Sequence, residues 1–208
     1  MQNNHLLKKA ILALLLCVAM PILNAQIAHV GDILCEGDLI VSPANYPSSG
    51  ATAKAVVFYV DNTGQHGWAI ALQDAGSYTW GPDNSNTPLP DYNNIRLAIY
   101  DLDGYRNTQI VPASYPAFNA VDFENGWYIP AIGQLNYLYG NLTEVNSSLN
   151  MVGGTAFMGG WQYWSSTENS TCTAWYMDES GGMTAYYTYQ YNNSYKSYIK
   201  RVRAALNF

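Results

Sequence analysis

The sequence predicts an α+β fold of short antiparallel strands, two helices and long loops. Three observations predict it. Runs of five or six β-branched and aromatic residues recur between turn-forming clusters. A segment past the middle carries apolar residues at helical spacing. No fixed-period repeat and no Pro/Ser-rich linker divides the chain, so strands and helices share one body.

The N-terminus reads as an export signal over residues 1–25. Lys8-Lys9 is a positive n-region, Ala10 to Leu23 is apolar except for Pro21, and Leu23 and Ala25 precede a cleavage point at Gln26. The run is too short, and too promptly followed by polar sequence, for a spanning helix. A single domain over 26–208 is expected, with no transmembrane segment after cleavage and a periplasmic, cell-surface or secreted location. Cys17 follows Leu16 rather than a small residue, and the apolar run continues past it, which disfavours lipid anchoring there. Cys35 and Cys172 remain in a compartment where disulfides persist. One bridge and two isolated thiols are both open, the thiols being favoured.

Ala55 to Val60 (AVVFYV), the turn Asp61-Asn62-Thr63-Gly64 and Trp68 to Leu72 (WAIAL) predict a hairpin. Asp74 to Asn94, dense in Gly, Pro, Asn, Asp and Ser, predicts a long surface loop. Ile95 to Tyr100 fits a strand or a helical turn. Trp127 to Pro130 predicts a strand ended by proline. Ala131 to Tyr139 has apolar residues at 132, 135, 138 and 139, one helical face. Asn141-Leu142-Thr143-Glu144 fits a capping box opening a second helix to about Leu149. Thr173 to Met177 and Met183 to Tyr189 flank Glu179-Ser180-Gly181-Gly182 as a second hairpin, and Tyr198 to Leu206 predicts a last strand.

Composition narrows the function classes. Fifteen acidic against nine basic residues give a net charge of −6, which argues against a nucleic-acid partner. Charged residues make up 12% of the chain, roughly half the usual share, so Tyr, Asn, Ser, Thr and Gly must cover the surface. An aromatic content of 14% argues against disorder.

The chemistry-bearing patterns mostly fail, and no catalytic residue and no cofactor are assigned. His29 and His66 sit beside Gly-containing turns and read as surface residues. Gly153-Gly154 and Gly159-Gly160 lack the Lys and the preceding strand of a phosphate cradle. No His/Cys cluster has zinc spacing. Asp101-Leu102-Asp103-Gly104 with Asn107 supplies oxygens enough for calcium, but Asx residues make such turns without an ion; both readings stay open, the turn favoured, and no metal site is assigned.

The strongest feature is aromatic. Tyr186, Tyr187, Tyr189, Tyr191, Tyr195 and Tyr198 are interleaved with Thr188, Asn192, Asn193, Ser194 and Ser197. Tyr gives rigid amphipathic area at low entropic cost, and short polar side chains adapt around it, which is the chemistry of binding loops. A hairpin whose outward face is simply rich in Tyr fits the same alternation.

Three motifs in order resemble a known family. Gly126-Trp127-Tyr128-Ile129-Pro130-Ala131 with Gln134-Leu135 resembles a W-x-L-P-x-x-x-E-L segment. Tyr163-Trp164-Ser165-Ser166-Thr167-Glu168, with Ala174-Trp175 beyond, is similar to Y-W-S-S-T-E, and Arg201-Val202-Arg203-Ala204 looks like its terminal strand. The family is the Lcl C-terminal domain, also called DUF1566, of exported Bacteroides-type bacterial proteins; the resemblance spans about 31–208. It implies a C-type-lectin-like fold, with Trp127, Trp164, Trp175 and Leu135 in the core. Gln134 stands where the family has Glu, and Ala131 where it has a Ser or Thr cap. The tripeptides of calcium-dependent lectins are absent, as is the late cysteine pair of the formylglycine-generating enzymes, so neither activity carries over.

Some members of that fold group are targets of diversity-generating retroelements, which randomise the adenines of Asn codons. From Thr184 to Tyr198 every residue except Gln190 and Lys196 belongs to the set such mutagenesis reaches, whereas Trp164, Glu168 and Trp175 do not. The expectation is an exported, non-catalytic binding module. Its ligand surface would combine Trp161, Tyr163, Tyr176, Tyr186, Tyr187, Tyr189, Tyr191, Asn192, Asn193 and Tyr195. Its partner would be a protein or carbohydrate on a cell or phage surface. One rival is a subunit or tip component of a surface fibre or adhesin, built on an exposed edge strand. Another is an enzyme on cell-surface polymers, working with carboxylates among Asp101, Asp103, Asp122 and Glu124.

Overall fold

The computed structural model describes residues 27–178 and 191–208, with backbone alone for Tyr191 and Asn192, and two five-stranded sheets organise these described residues. The export signal, Cys17, the 179–182 turn and Tyr186, Tyr187 and Tyr189 fall outside the described residues.

The first sheet contains β1 (Ile33–Cys35), β2 (Ile40–Val41), β3 (Ala53–Val60) and β4 (Gly67–Ala71), with β10 (Ala205–Asn207) on its other edge, in the order β10-β4-β3-β1-β2. The predicted hairpin is β3–β4. Its turn is held by Asp61, whose Oδ1 accepts from the Thr63 amide at 3.0 Å and the Thr63 hydroxyl at 2.7 Å. Gly64 takes φ 72°, the left-handed backbone such a turn needs.

The second sheet contains β5 (Gly76–Thr79), β6 (Gln162–Glu168), β7 (Thr173–Asp178), β8 (Tyr191–Tyr195) and β9 (Ile199–Val202), in the order β5-β9-β6-β7-β8. Its pairs are antiparallel apart from the parallel β6–β9 contact at Tyr163 and Arg201. Two expectations change here. The 74–94 stretch is not all loop: Gly76–Thr79 pairs with Ile199–Val202. The expected last strand divides at Arg203-Ala204, leaving β9 in one sheet and β10 in the other.

The two predicted helices form as Ile132–Gly140 and Leu142–Met151. Ile132, Leu135 and Leu138 of the first, and Val145 and Leu149 of the second, enter one core with Val56, Phe58, Ile70, Tyr163, Trp175 and Met177. The start signals work differently from the prediction. Asn141 does not cap the second helix; its amide donates to the Phe58 carbonyl at 3.0 Å and the Tyr137 carbonyl at 3.1 Å. Ala131 has no side chain to cap the first, but Gln134 supplies the reciprocal half of a capping box. Its Oε1 accepts from the Ala131 amide at 2.9 Å and the Gly104 amide at 3.1 Å, and its Nε2 donates to the Tyr128 hydroxyl at 3.0 Å. Ile95–Ala98 resolves as a helical turn capped by Asn94. Trp127–Pro130 makes a single bridge, Tyr128 to Ala205, instead of a strand.

A second core lies on the other face of the second sheet, where Trp164, Ala174, Tyr176 and Val202 meet Trp80, Tyr115 and Phe118. That sheet is therefore covered on both faces. Trp164, Trp175 and Leu135 are buried as expected, and Trp127 is half-buried between two clusters. Among the described residues no helix is long and apolar enough to cross a membrane.

Candidate ligand surface

The motif Tyr163 to Glu168 builds the floor beneath the tail. Tyr163 and Trp164 point to opposite faces and fill the two cores. The Trp164 indole donates to the Tyr78 carbonyl at 3.0 Å. Ser165 donates to the Trp175 carbonyl at 2.7 Å. Ser166 accepts from the Asn107 amide at 3.1 Å. Thr167 donates to Asp101 Oδ2 at 2.7 Å and accepts from the Ile132 amide at 2.9 Å. Buried hydroxyls of this kind are placed by their partners, since each would cost free energy unmade.

Glu168 closes the motif with a buried ion pair. Its carboxylate receives the Lys196 ammonium and the Thr87 hydroxyl. Lys196 is 0% exposed and Glu168 1%. The ammonium also donates to the carbonyls of Ser85 at 2.7 Å and Thr171 at 3.0 Å, and lies 4.9 Å from the centre of the Trp80 ring. All three ammonium protons thus have acceptors, which is what makes such burial tolerable. Ser197 adds bonds to Asp83 from its amide (3.1 Å) and hydroxyl (2.6 Å). The tail between β8 and β9 is pinned to the 83–87 loop and the 169–172 turn at one point.

Around that anchor the side chains turn outward. Asn193 is exposed, as are Tyr195 (53%), Tyr198 (56%) and Ile199 (69%). The rings of Tyr195 and Tyr198 lie 5.6 Å apart. Strand β8 is an edge: it pairs with β7 from Thr173–Tyr195 to Met177–Tyr191, and among the described residues no strand lies beyond it.

The other expected site residues divide. Tyr163 (1% exposed) and Tyr176 (8%) are not surface groups; both lie in strands buried on two faces, so the expectation for them is corrected. Lys200 covers Tyr176, its ammonium 3.9 Å from the ring centre, and donates to Gln162 at 2.7 Å. Burial holds that ammonium below its ordinary range. Trp161 is half-buried, with the Arg201 guanidinium 3.6 Å from its ring centre. Tyr191 and Asn192 lie in β8 by backbone. Sequence reasoning counted Tyr198 in the aromatic run but left it out of the ligand surface, and it missed Ile199 as a surface group and Lys196 as their anchor. Lys196 interrupts the run of Tyr, Asn and Ser from 191 to 198, but a lone Lys in such a run reads as a solvated group.

The Asp101 cluster serves as a strut. Asp101 accepts from Asn107 at 2.9 Å and Thr167 at 2.7 Å, while Asp103 caps the helix Gly104–Ile110 by accepting from the Arg106 amide. Burial pushes the Asp101 carboxyl up despite those bonds. Asp122 and Glu124 are exposed. Cys35 is buried, Cys172 half-buried, and both are free thiols.

No family model and no curated protein matches the sequence. The fold is similar to that of a fimbrial protein from Bacteroides ovatus, 17% identical, with a TM-score of 0.62 over 86% of this chain and 49% of that one. The chain spans about half the length of that protein. A likeness at this identity speaks for the fold.

Proposed function

We propose that this chain is an exported, non-catalytic component of a surface fibre, serving as a subunit or tip. The carrying observation is the shared fold with a fimbrial protein over most of the chain. The edge of β8, beyond which no strand lies among the described residues, adds a means of joining, since an extended segment can complete a sheet edge through main-chain hydrogen bonds. The test is to tag the chain in its own host and shear the surface fibres. Immunogold label at fibre tips or along shafts is expected. Label confined to soluble fractions would overturn the proposal.

A second reading, a binding module, draws on the exposed Tyr195–Tyr198 pair above a buried anchor. Rigidly mounted aromatic groups suit both glycan stacking and protein contact. A C-type-lectin-like body of the Lcl type belongs with this reading, and the motif positions that would define it carry structural work here. Retroelement diversification of 184–198 belongs here too: Lys196, outside the reachable set, is scaffold. Glycan and protein arrays comparing wild type with Tyr195→Ala/Tyr198→Ala would decide it; equal signals would remove the surface.

A further inference from the structure

We infer that the turn end of the β3–β4 hairpin is a ligand site, and that it takes a neutral pyranose. Three separate strands make it. Tyr59 and Trp68 are paired across the hairpin, and Asn207 of β10 is paired with Trp68 on its other side. The Tyr59 and Trp68 rings stack at 4.2 Å and 27°, and Tyr137 from the helix Ile132–Gly140 meets them edge-on at 4.8 and 5.7 Å. Beside the stack lies a cavity of about 300 Å³, lined by Tyr59, Asp61, His66, Trp68 and Asn207 among others. That is the lower end of the size range of small-molecule pockets, and the lining has their usual form of aromatic wall with a few polar groups.

The chemistry selects the ligand class. Two nearly parallel rings make a slab, which suits the flat C–H face of a sugar ring; a cation would be better held by rings standing around it. Asp61 offers an acceptor, Asn207, whose Oδ1 accepts from the Tyr128 hydroxyl at 2.7 Å, offers its amide N–H groups, and His66 can donate, which matches a ring of hydroxyl groups. The bonds from Thr63 occupy Oδ1 of Asp61, and a carboxylate has capacity for more at Oδ2. An accessible carboxylate is an anion at neutral pH, and the Thr63 bonds favour that form further, so Asp61 repels acidic sugars. His66 and Asn207 are exposed, so a ligand can enter without opening the fold.

The experiment is a titration of the full chain followed by NMR at the Trp68 indole and the Tyr59 ring. The probes are methyl β-D-galactopyranoside, methyl β-D-glucopyranoside, D-glucuronate and choline chloride. Saturable shifts with a neutral glycoside at Kd in the millimolar range are expected, and none with glucuronate. His66→Ala should weaken binding about fivefold, as loss of one hydrogen bond does, at unchanged melting temperature, and Asp61→Asn, which keeps an Oδ1 acceptor for Thr63, should weaken it to a similar degree. No shift with either glycoside, shifts with choline instead, or shifts indifferent to both variants would each overturn the assignment. The fibre proposal is independent of it, so failure here leaves that reading standing.

Discussion

Residues 163–168 and residues 193–199 use the same vocabulary of Tyr, Ser, Thr and Asn-like polar groups around one charge, yet the first stretch is buried and the second mostly wet. In the first, strand β6 is flanked by β9 and β7 and covered on both faces, and the hydroxyls of Ser165, Ser166 and Thr167 each find a fixed partner. In the second, β8 has one neighbour among the described residues, and Asn193, Tyr195, Ser197, Tyr198 and Ile199 meet solvent while Lys196 does not. Residue type does not separate a core strand from an exposed edge. The number of strands and faces that cover it does.

That comparison can be broken most forcefully at the point where the two stretches meet. Lys196→Met leaves Glu168 buried without its cation and should cost roughly 3–5 kcal/mol, whereas the double variant Lys196→Met/Glu168→Leu should recover much of the loss. Urea unfolding of the set measures it. A single-variant cost below about 1 kcal/mol would mean that the anchor does not hold the tail.

A smaller effect is expected inside the motif. Thr167→Val keeps the shape but strands the Ile132 amide and removes a bond to Asp101, for a loss of about 1–3 kcal/mol. Asp101 itself should show a pH signature. Its folded carboxyl titrates above the unfolded one, so the folded state holds the extra proton across that window. Its contribution to stability is fullest on the acid side and declines as pH rises through the folded pKa. Stability-against-pH curves should be flatter in that window for Asp101→Asn; identical slopes would remove Asp101 as the cause.

The smallest effect belongs to the wet stretch. Tyr198→Ser and Ile199→Ser should each move stability by no more than about 0.5 kcal/mol. A loss near 2 kcal/mol in calorimetry would show those side chains to be packed, and would erase the contrast.

Much of the frame was legible. The 3.6-residue spacing of Ile132, Leu135 and Leu138 marked a helix that buries those residues, and the Asp61–Gly64 turn marked the hairpin. Strand β5 was illegible because Gly76-Ser77-Tyr78-Thr79 reads locally as turn, and what makes it a strand is β9, at the far end of the sequence. Tyr163 and Tyr176 were misplaced for a related reason. Alternation reports that neighbours face opposite ways, but not that both sides are covered. The outward face at Asn193 and Tyr195 was legible because Tyr among short polar groups tolerates water; the fold's reliance on Lys196 was not, since a lone Lys normally signals solvent.

The division at Arg203-Ala204 bears on when the chain can fold. Strand β9 sits between β5 and β6, and β10 completes the edge beside β4, so residues 199–207 are structural members of both sheets. Neither sheet is whole until that stretch is in place, so closure of the fold waits on contacts far apart in the sequence.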